Sequence, residues 1–195
     1  MLLLFTKINN NIYMINVNLK GGSFMEMVDI YNNKRELTGA IKGRKELIDA
    51  EYRLSCHVWI INSEGKLLLQ LRAKNEDMFP NMWGQTGGGV KTGKTSKQTA
   101  IIECREEMGI DIREDNLYYI GSYTRIKDIV DIWLVIQDID ITNLKLQSEE
   151  VEKVEYLTFD EFDKLIEEGK VVPTVKPSYM LMKNYYFKYR NKKMY

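Results

Sequence analysis

A chain of 195 residues with a 44% apolar share can build one compact core, and a single domain is the expectation. Its 28 lysines and arginines balance 28 aspartates and glutamates, so no net field points to nucleic acid or to an anionic membrane surface. One histidine, His57, excludes a site built from several imidazoles, and two cysteines, Cys56 in an apolar run and Cys104 in a helical pattern, give no disulfide framework and suit a reducing cytoplasm.

Residues 1–24 are rich in Asn, Ile and Leu, show neither turn chemistry nor a clear period, and read as a non-native or disordered leader. Lys20-Gly21-Gly22 ahead of Met25 can be encoded by a purine-rich stretch resembling a bacterial ribosome-binding site, so Met25 is the expected start. The apolar opening, Met1 to Phe5, is too short for a secretory segment. No other stretch approaches the roughly 18 apolar residues that span a bilayer, and a soluble, unexported protein is expected. From Met25 to about Ala50 short apolar and polar pieces alternate around the turn signals Asn32-Asn33 and Gly39, which predicts a small hairpin. Strands follow at Leu54 to Ile61 and Lys66 to Arg72, joined by Asn62-Ser63-Glu64-Gly65.

A loop with Pro80, Trp83 and three successive glycines leads to Thr95, which with Gln98 forms a capping box for a helix that Gly109 ends. Strands return at Tyr118 to Ile126, Ile129 to Ile136 and near Val151 to Leu157. Thr158 and Glu161 cap a second helix closed by Gly169, and an aromatic-rich helix covers Ser178 to Arg190. Tyr179, Tyr185, Tyr186 and Phe187 form its buried stripe, and the basic residues at its end read as a solvated terminus.

At about 100° per residue, Glu103, Glu106 and Glu107 share one face within a single turn, while Ile101, Cys104 and Met108 point elsewhere and can pack on a sheet. Clustered like charges repel, and a divalent cation with oxygen ligands is the common offset; a solvated acidic face is the alternative. Gly87-Gly88-Gly89 upstream permits a tight approach of backbone to a bound ion.

The stretch GGGVKTGKTSKQTAIIECREEMGI resembles the signature of the Nudix hydrolases, G-x5-E-x7-R-E-U-x-E-E-x-G-U, where U is a bulky aliphatic residue. Gly88, Glu103, Cys104, Glu106, Glu107, Gly109 and Ile110 fall on it in register, and the segments LLLQLR, FPNMWGQTGG and QSEEVEKVEYLTFDEF are similar to matching parts of these enzymes. The resemblance implies an α/β fold, an α/β/α sandwich around a mixed sheet, over residues 25–195. It implies Mg²⁺ or Mn²⁺, and a small-molecule substrate in which a diphosphate links two groups. By position, Glu103, Glu106 and Glu107 with the carbonyl of Gly87 would hold metal, and a water activated by metal or carboxylate would attack phosphorus. Two positions depart from the motif: its first glutamate is Lys94 and its arginine is Ile102. Glu103 thereby loses its usual orienting partner, a part that Arg105 is expected to take over in some measure.

Other positions complete the candidate site. Arg72, at a strand end facing the expected cleft, would touch a phosphate or simply lie at the surface. Trp83 would stack on a base or fill the core edge. Glu150, beside Glu149, would be a further carboxylate, as base or ligand, or one of a solvated pair. The N-terminal hairpin offers a surface for a homodimer. Three alternatives stand beside the hydrolase. Gly88 to Thr95 satisfies the P-loop pattern, though without a preceding buried strand. An isopentenyl-diphosphate isomerase would need histidines and a cysteine that the Gln85 to Gly88 segment lacks, and His57 reads as a hydrogen-bonded strand residue. A nucleotide-sensing module would keep the fold and lose the chemistry.

Overall fold

The computed structural model describes residues 2–8, 11–17 and 25–190. Two hairpins precede the main sheet: β1 (Leu2–Ile8) with β2 (Asn11–Val17), and β3 (Met27–Tyr31) with β4 (Leu37–Gly43). The first corrects the reading of the opening residues as patternless. Its intervening residues 9–10, and the Lys20-Gly21-Gly22 stretch, lie outside the described residues. The second is the expected hairpin.

The sheet runs β10-β6-β5-β9-β8, from β5 (Arg53–Ile61), β6 (Leu67–Arg72), β8 (Leu117–Arg125), β9 (Asp128–Ile136) and β10 (Val151–Leu157), with the short β7 (Trp83–Gly84) pairing β6. It is mixed, because β5 and β9 run parallel while their other neighbours are antiparallel. Helix α1 (Ser96–Met108) covers one face, and α2 (Phe159–Glu167) and α3 (Lys176–Arg190) serve the other. This is the expected α/β/α sandwich.

Alternation along β5 divides the core. Cys56, Val58 and Ile60 meet Ala100, Cys104 and Met108 of α1, whereas Trp59 and Ile61 face Phe162, Tyr179 and Met182 on the far side. Each fully buried large aliphatic contributes about 1.5–3 kcal/mol, so these layers fix the position of α1 more firmly than its own propensity does. The capping box adds about 1 kcal/mol: Thr95 accepts from the Gln98 amide, the Gln98 side chain accepts from the Thr95 amide, and Gly109 closes the helix at φ 69°. Burial pushes the thiols of Cys56 and Cys104 well up, and both are free.

A polar tie joins three elements. Asp131, fully buried in β9, accepts from both Nη atoms of Arg35 in the β3–β4 turn and from Ser96 Oγ at the start of α1. Arg35 adopts φ 62°, a strained setting for a side-chain-bearing residue that the buried pairing maintains.

Candidate active site

β5 and β6 pair only at Ile60–Leu68 and Ile61–Leu67, which leaves the first half of β5 without that neighbour. The glycine segment fills the gap. Val58 N donates to Thr86 O, Cys56 N to Gly88 O, and Val90 N to Leu54 O, each at 2.9 Å. Successive carbonyls of an extended segment point to opposite sides, so the Gly87 carbonyl is turned away from β5. A Cβ on Gly87 would lie 2.1 Å from the Cys56 oxygen, and its φ of 152° belongs to glycine. A Cβ on Gly88 would lie 2.3 Å from Glu103 Oε1, so the absence of a side chain there is what admits the Glu103 carboxylate.

The three helix glutamates line one stripe at graded depth. Glu107 is buried, and its Oε2 accepts from Thr86 Oγ1 and from Gln70 Nε2 at 3.1 Å. Glu103 is half-buried and Glu106 exposed. Burial above all pushes the Glu107 carboxyl up to about 8, against the pull of the Thr86 hydroxyl. Burial, then the charges of Glu106 and Glu150, push Glu103 up to about 7. Glu150 acts on Glu107 as well, so the sheet-side carboxylate expected here stands with the helix set, held by Gln147 Nε2 at 2.9 Å.

These groups suit a hard cation in their chemistry, being carboxylates that repel one another, with Lys91 offsetting only part of the repulsion at Glu103. Among the described residues no three His, Cys, Asp or Glu side chains are already gathered to hold a metal. Glu107 is engaged by Thr86 and Gln70 instead.

The same geometry corrects the expectation for Arg105, bears out the core-edge reading of Trp83 and gives the setting of Arg72. Arg105 is exposed and pairs with Asp111 at 2.8 Å, so it does not stand in for the motif's arginine. The positive charge acting on Glu103 comes from Lys91. Arg72 is tied locally, to Glu76 at 3.0 Å and the Met78 carbonyl, rather than reaching across to the carboxylates. Trp83 is a core residue beneath Lys153, not an open stacking platform. A cavity of about 260 Å³ beside it, lined by Leu157, Leu165 and Glu161 among others, holds none of the candidate carboxylates.

The P-loop alternative fails on geometry: Gly87 to Val90 is paired with β5, and the Gly93 amide is taken by Asp29. His57 is the structural residue expected. Its Nδ1 lies 2.8 Å from Ser178 Oγ, itself donating to the Val175 carbonyl, and burial holds the imidazole down to about 3.

Four residues escaped the sequence reading: Gln70, Thr86, Glu26 and Arg53. Gln70 is the lone polar residue within LLLQL, a visible signal. Thr86, Glu26 and Arg53 carried none, since only folding brings Thr86 to Glu107, and Glu26 and Arg53 to the glycine segment.

The comparisons with known proteins agree with this geometry. The family model for the NUDIX domain matches residues 51–176. The chain belongs to the Nudix family. An uncharacterized Nudix hydrolase of Listeria monocytogenes is 37% identical over 152 residues, covering 76% of this chain and 89% of its own length. Nudix hydrolase 3 of Arabidopsis thaliana is 31% identical over 153 residues, covering 70% of this chain and 20% of that protein. A crystal structure of a Deinococcus radiodurans protein aligns with TM-score 0.65 over 81% of this chain and 98% of that one, at 20% identity, a likeness of fold alone. The chain is a Nudix hydrolase by family, and no described helix is long and apolar enough to cross a membrane.

Proposed function

We propose that this Nudix hydrolase cleaves, with Mg²⁺ or Mn²⁺, the diphosphate of a small molecule in which that diphosphate joins a nucleoside or a related group to a second moiety. The observation that carries the reading is the carboxylate set at the glycine segment: Glu103 seated over Gly88, Glu107 buried behind it, Glu106 and Glu150 beside them. A bound divalent cation would be held by Glu103, Glu106 and Glu107 with the Gly87 carbonyl, and would supply charge neutralisation for the diphosphate. The chain's own part is to position. Thr86 and Gln70 hold Glu107, the missing Cβ of Gly88 admits Glu103, and α1 is anchored through Ser96 to Asp131. Glu150, outside the helix and close enough for its charge to act on both Glu103 and Glu107, would accept a proton from the attacking water. Buried free thiols suit a reducing, cytoplasmic setting, and the apolar Met25, Met27, Leu37 and Ile48 exposed on the N-terminal segment support a homodimer.

The test is a panel of diphosphate-linked nucleosides and sugars with Mg²⁺, scored for released monophosphate and repeated with Glu107→Gln. Turnover lost in the folded variant supports the assignment; full activity in it removes the carboxylate site. A second reading, binding without turnover, draws on Ile102: no ion pair to Glu103 occurs among the described residues. Measurable binding with no product across the panel decides for it.

A further inference from the structure

Hydrogen bonds from Thr92, Gly93 and Ser96 tie the approach to α1 to other parts of the chain. Thr92 N donates to the Met27 carbonyl at 3.1 Å and Gly93 N to Asp29 Oδ2 at 2.9 Å, both acceptors lying on β3. Ser96 Oγ donates to Asp131, which is wholly buried and accepts also from Arg35 Nη1 at 2.5 Å and Nη2 at 2.6 Å. The start of the carboxylate helix is therefore attached, directly or through Asp131, to the β3–β4 hairpin, which lies outside residues 51–176 of the family domain.

The turn of that hairpin is built to present Arg35. Asn32 Oδ1 accepts from the amides of Lys34 at 2.9 Å and Glu36 at 3.0 Å, and the Arg35 amide donates to the Asn32 carbonyl at 3.0 Å. Arg35 Nη1 donates to Tyr119 Oη as well, at 3.1 Å, so the guanidinium is fixed by two partners on the main sheet. Its left-handed backbone persists because these contacts over-determine it.

Helix α1 by itself resists sliding along its axis only weakly. Of the residues it buries, Met108 alone is large and apolar, the others being Ser96, Thr99, Ala100, Cys104 and Glu107. Small side chains let a helix sit close to its sheet but interlock little, so the polar tie at its start sets its axial position. Ser96 precedes Glu103 by about 10 Å of helix at 1.5 Å per residue, a length that moves as one body. The seat of Glu103 over Gly88 is narrow, so a small shift of the helix displaces its carboxylate.

We propose that Arg35 is a positioning residue for hydrolysis: it holds Asp131, Asp131 holds Ser96, and through them the N-terminal hairpin fixes where α1 presents Glu103 and Glu107. The proposal rests on the diphosphate-hydrolase reading of those carboxylates. Arg35 touches neither substrate nor metal, and its effect passes through the placement of the helix.

The test compares the wild type with Arg35→Met, Ser96→Ala and the double variant Arg35→Met/Asp131→Leu. It measures kcat and KM on a substrate from the panel, Mn²⁺ affinity by calorimetry without substrate, and urea unfolding. Ser96→Ala cuts only the link from Asp131 to the helix and leaves the buried ion pair whole. Arg35→Met strands a buried charge and is expected to lose stability, whereas replacing both partners by apolar groups commonly restores it. Positioning predicts that kcat and Mn²⁺ affinity each fall about tenfold or more in all three, with KM within about twofold, whatever the stability. A merely structural pair predicts wild-type kcat and Mn²⁺ affinity in Ser96→Ala and in the double variant, and that result overturns the proposal. Should the double variant fail to fold, Ser96→Ala decides alone. A wild type that turns over nothing on the panel sinks the hydrolase reading, and Mn²⁺ then decides on positioning: weaker affinity in Ser96→Ala sustains it, and unchanged affinity overturns it. A wild type that takes up no Mn²⁺ overturns both.

Discussion

His57 makes the protein sensitive to mild acid in a way that can be isolated from its other titrating groups. The imidazole is buried between β5 and α3, where Ser178 Oγ donates to the Val175 carbonyl and so receives the Nδ1 hydrogen of a neutral ring. Burial first, and then the charge of Arg125, hold its folded value down to about 3, against 6.5 for the free side chain. Below 6.5 the unfolded chain takes up a proton that the folded one refuses, so stability falls as pH drops. Between pH 7 and pH 5 the loss comes to about 2 kcal/mol at the slope of 1.36 kcal/mol per unit. Glu103 and Glu107 work in the opposite sense, because their folded values of about 7 and about 8 exceed 4.5. Their stabilisation is present at low pH and is lost as pH rises through those values. They lie on the α1 side of the sheet and His57 on the other, so the two effects should add. Urea unfolding of the wild type and of His57→Asn at both pH values separates them. The wild type should lose about 2 kcal/mol relative to the variant on going to pH 5. Parallel pH profiles would refute the account of a neutral, buried imidazole.

Other perturbations test the carboxylate site. Gly88→Ala places a methyl 2.3 Å from Glu103 Oε1 and must displace that carboxylate; kcat/KM should fall about a hundredfold while the circular dichroism spectrum is kept, as expected for a group moved by about 1 Å. Thr86→Val removes a donor to the buried Glu107. It should cost about 1–3 kcal/mol in chemical denaturation and raise the Glu107 carboxyl further, because the lost hydrogen bond favoured the charged form. Without divalent cations, the contribution of Glu103 and Glu107 to thermal stability should decline from pH 6 to pH 9, and added Mg²⁺ should flatten that decline. A decline equal with and without Mg²⁺ would show that these carboxylates do not meet the ion.

Much of this protein could be read along the chain because the relevant physics is local. The capping boxes of Thr95 and Thr158, the glycine ends at Gly109 and Gly169, and the spacing of Glu103, Glu106 and Glu107 all act within a few residues, and each stands where the pattern put it. The first hairpin was missed because pairing of β1 with β2 is a contact between segments, and neither segment announces it alone. Depth is likewise a tertiary property. Identical side chains became an exposed Glu106, a half-buried Glu103 and a buried Glu107 through the packing of α1 on β5. Arg105 went to Asp111, and Arg72 to Glu76, because the nearest opposite charge is chosen by the fold and not by motif position. Spacing set which carboxylates could meet. Which residues satisfy or repel them, Thr86, Gln70, Glu150 and Glu26, was decided by segments remote in sequence and adjacent in the fold, since charge and burial act across space and not along the chain.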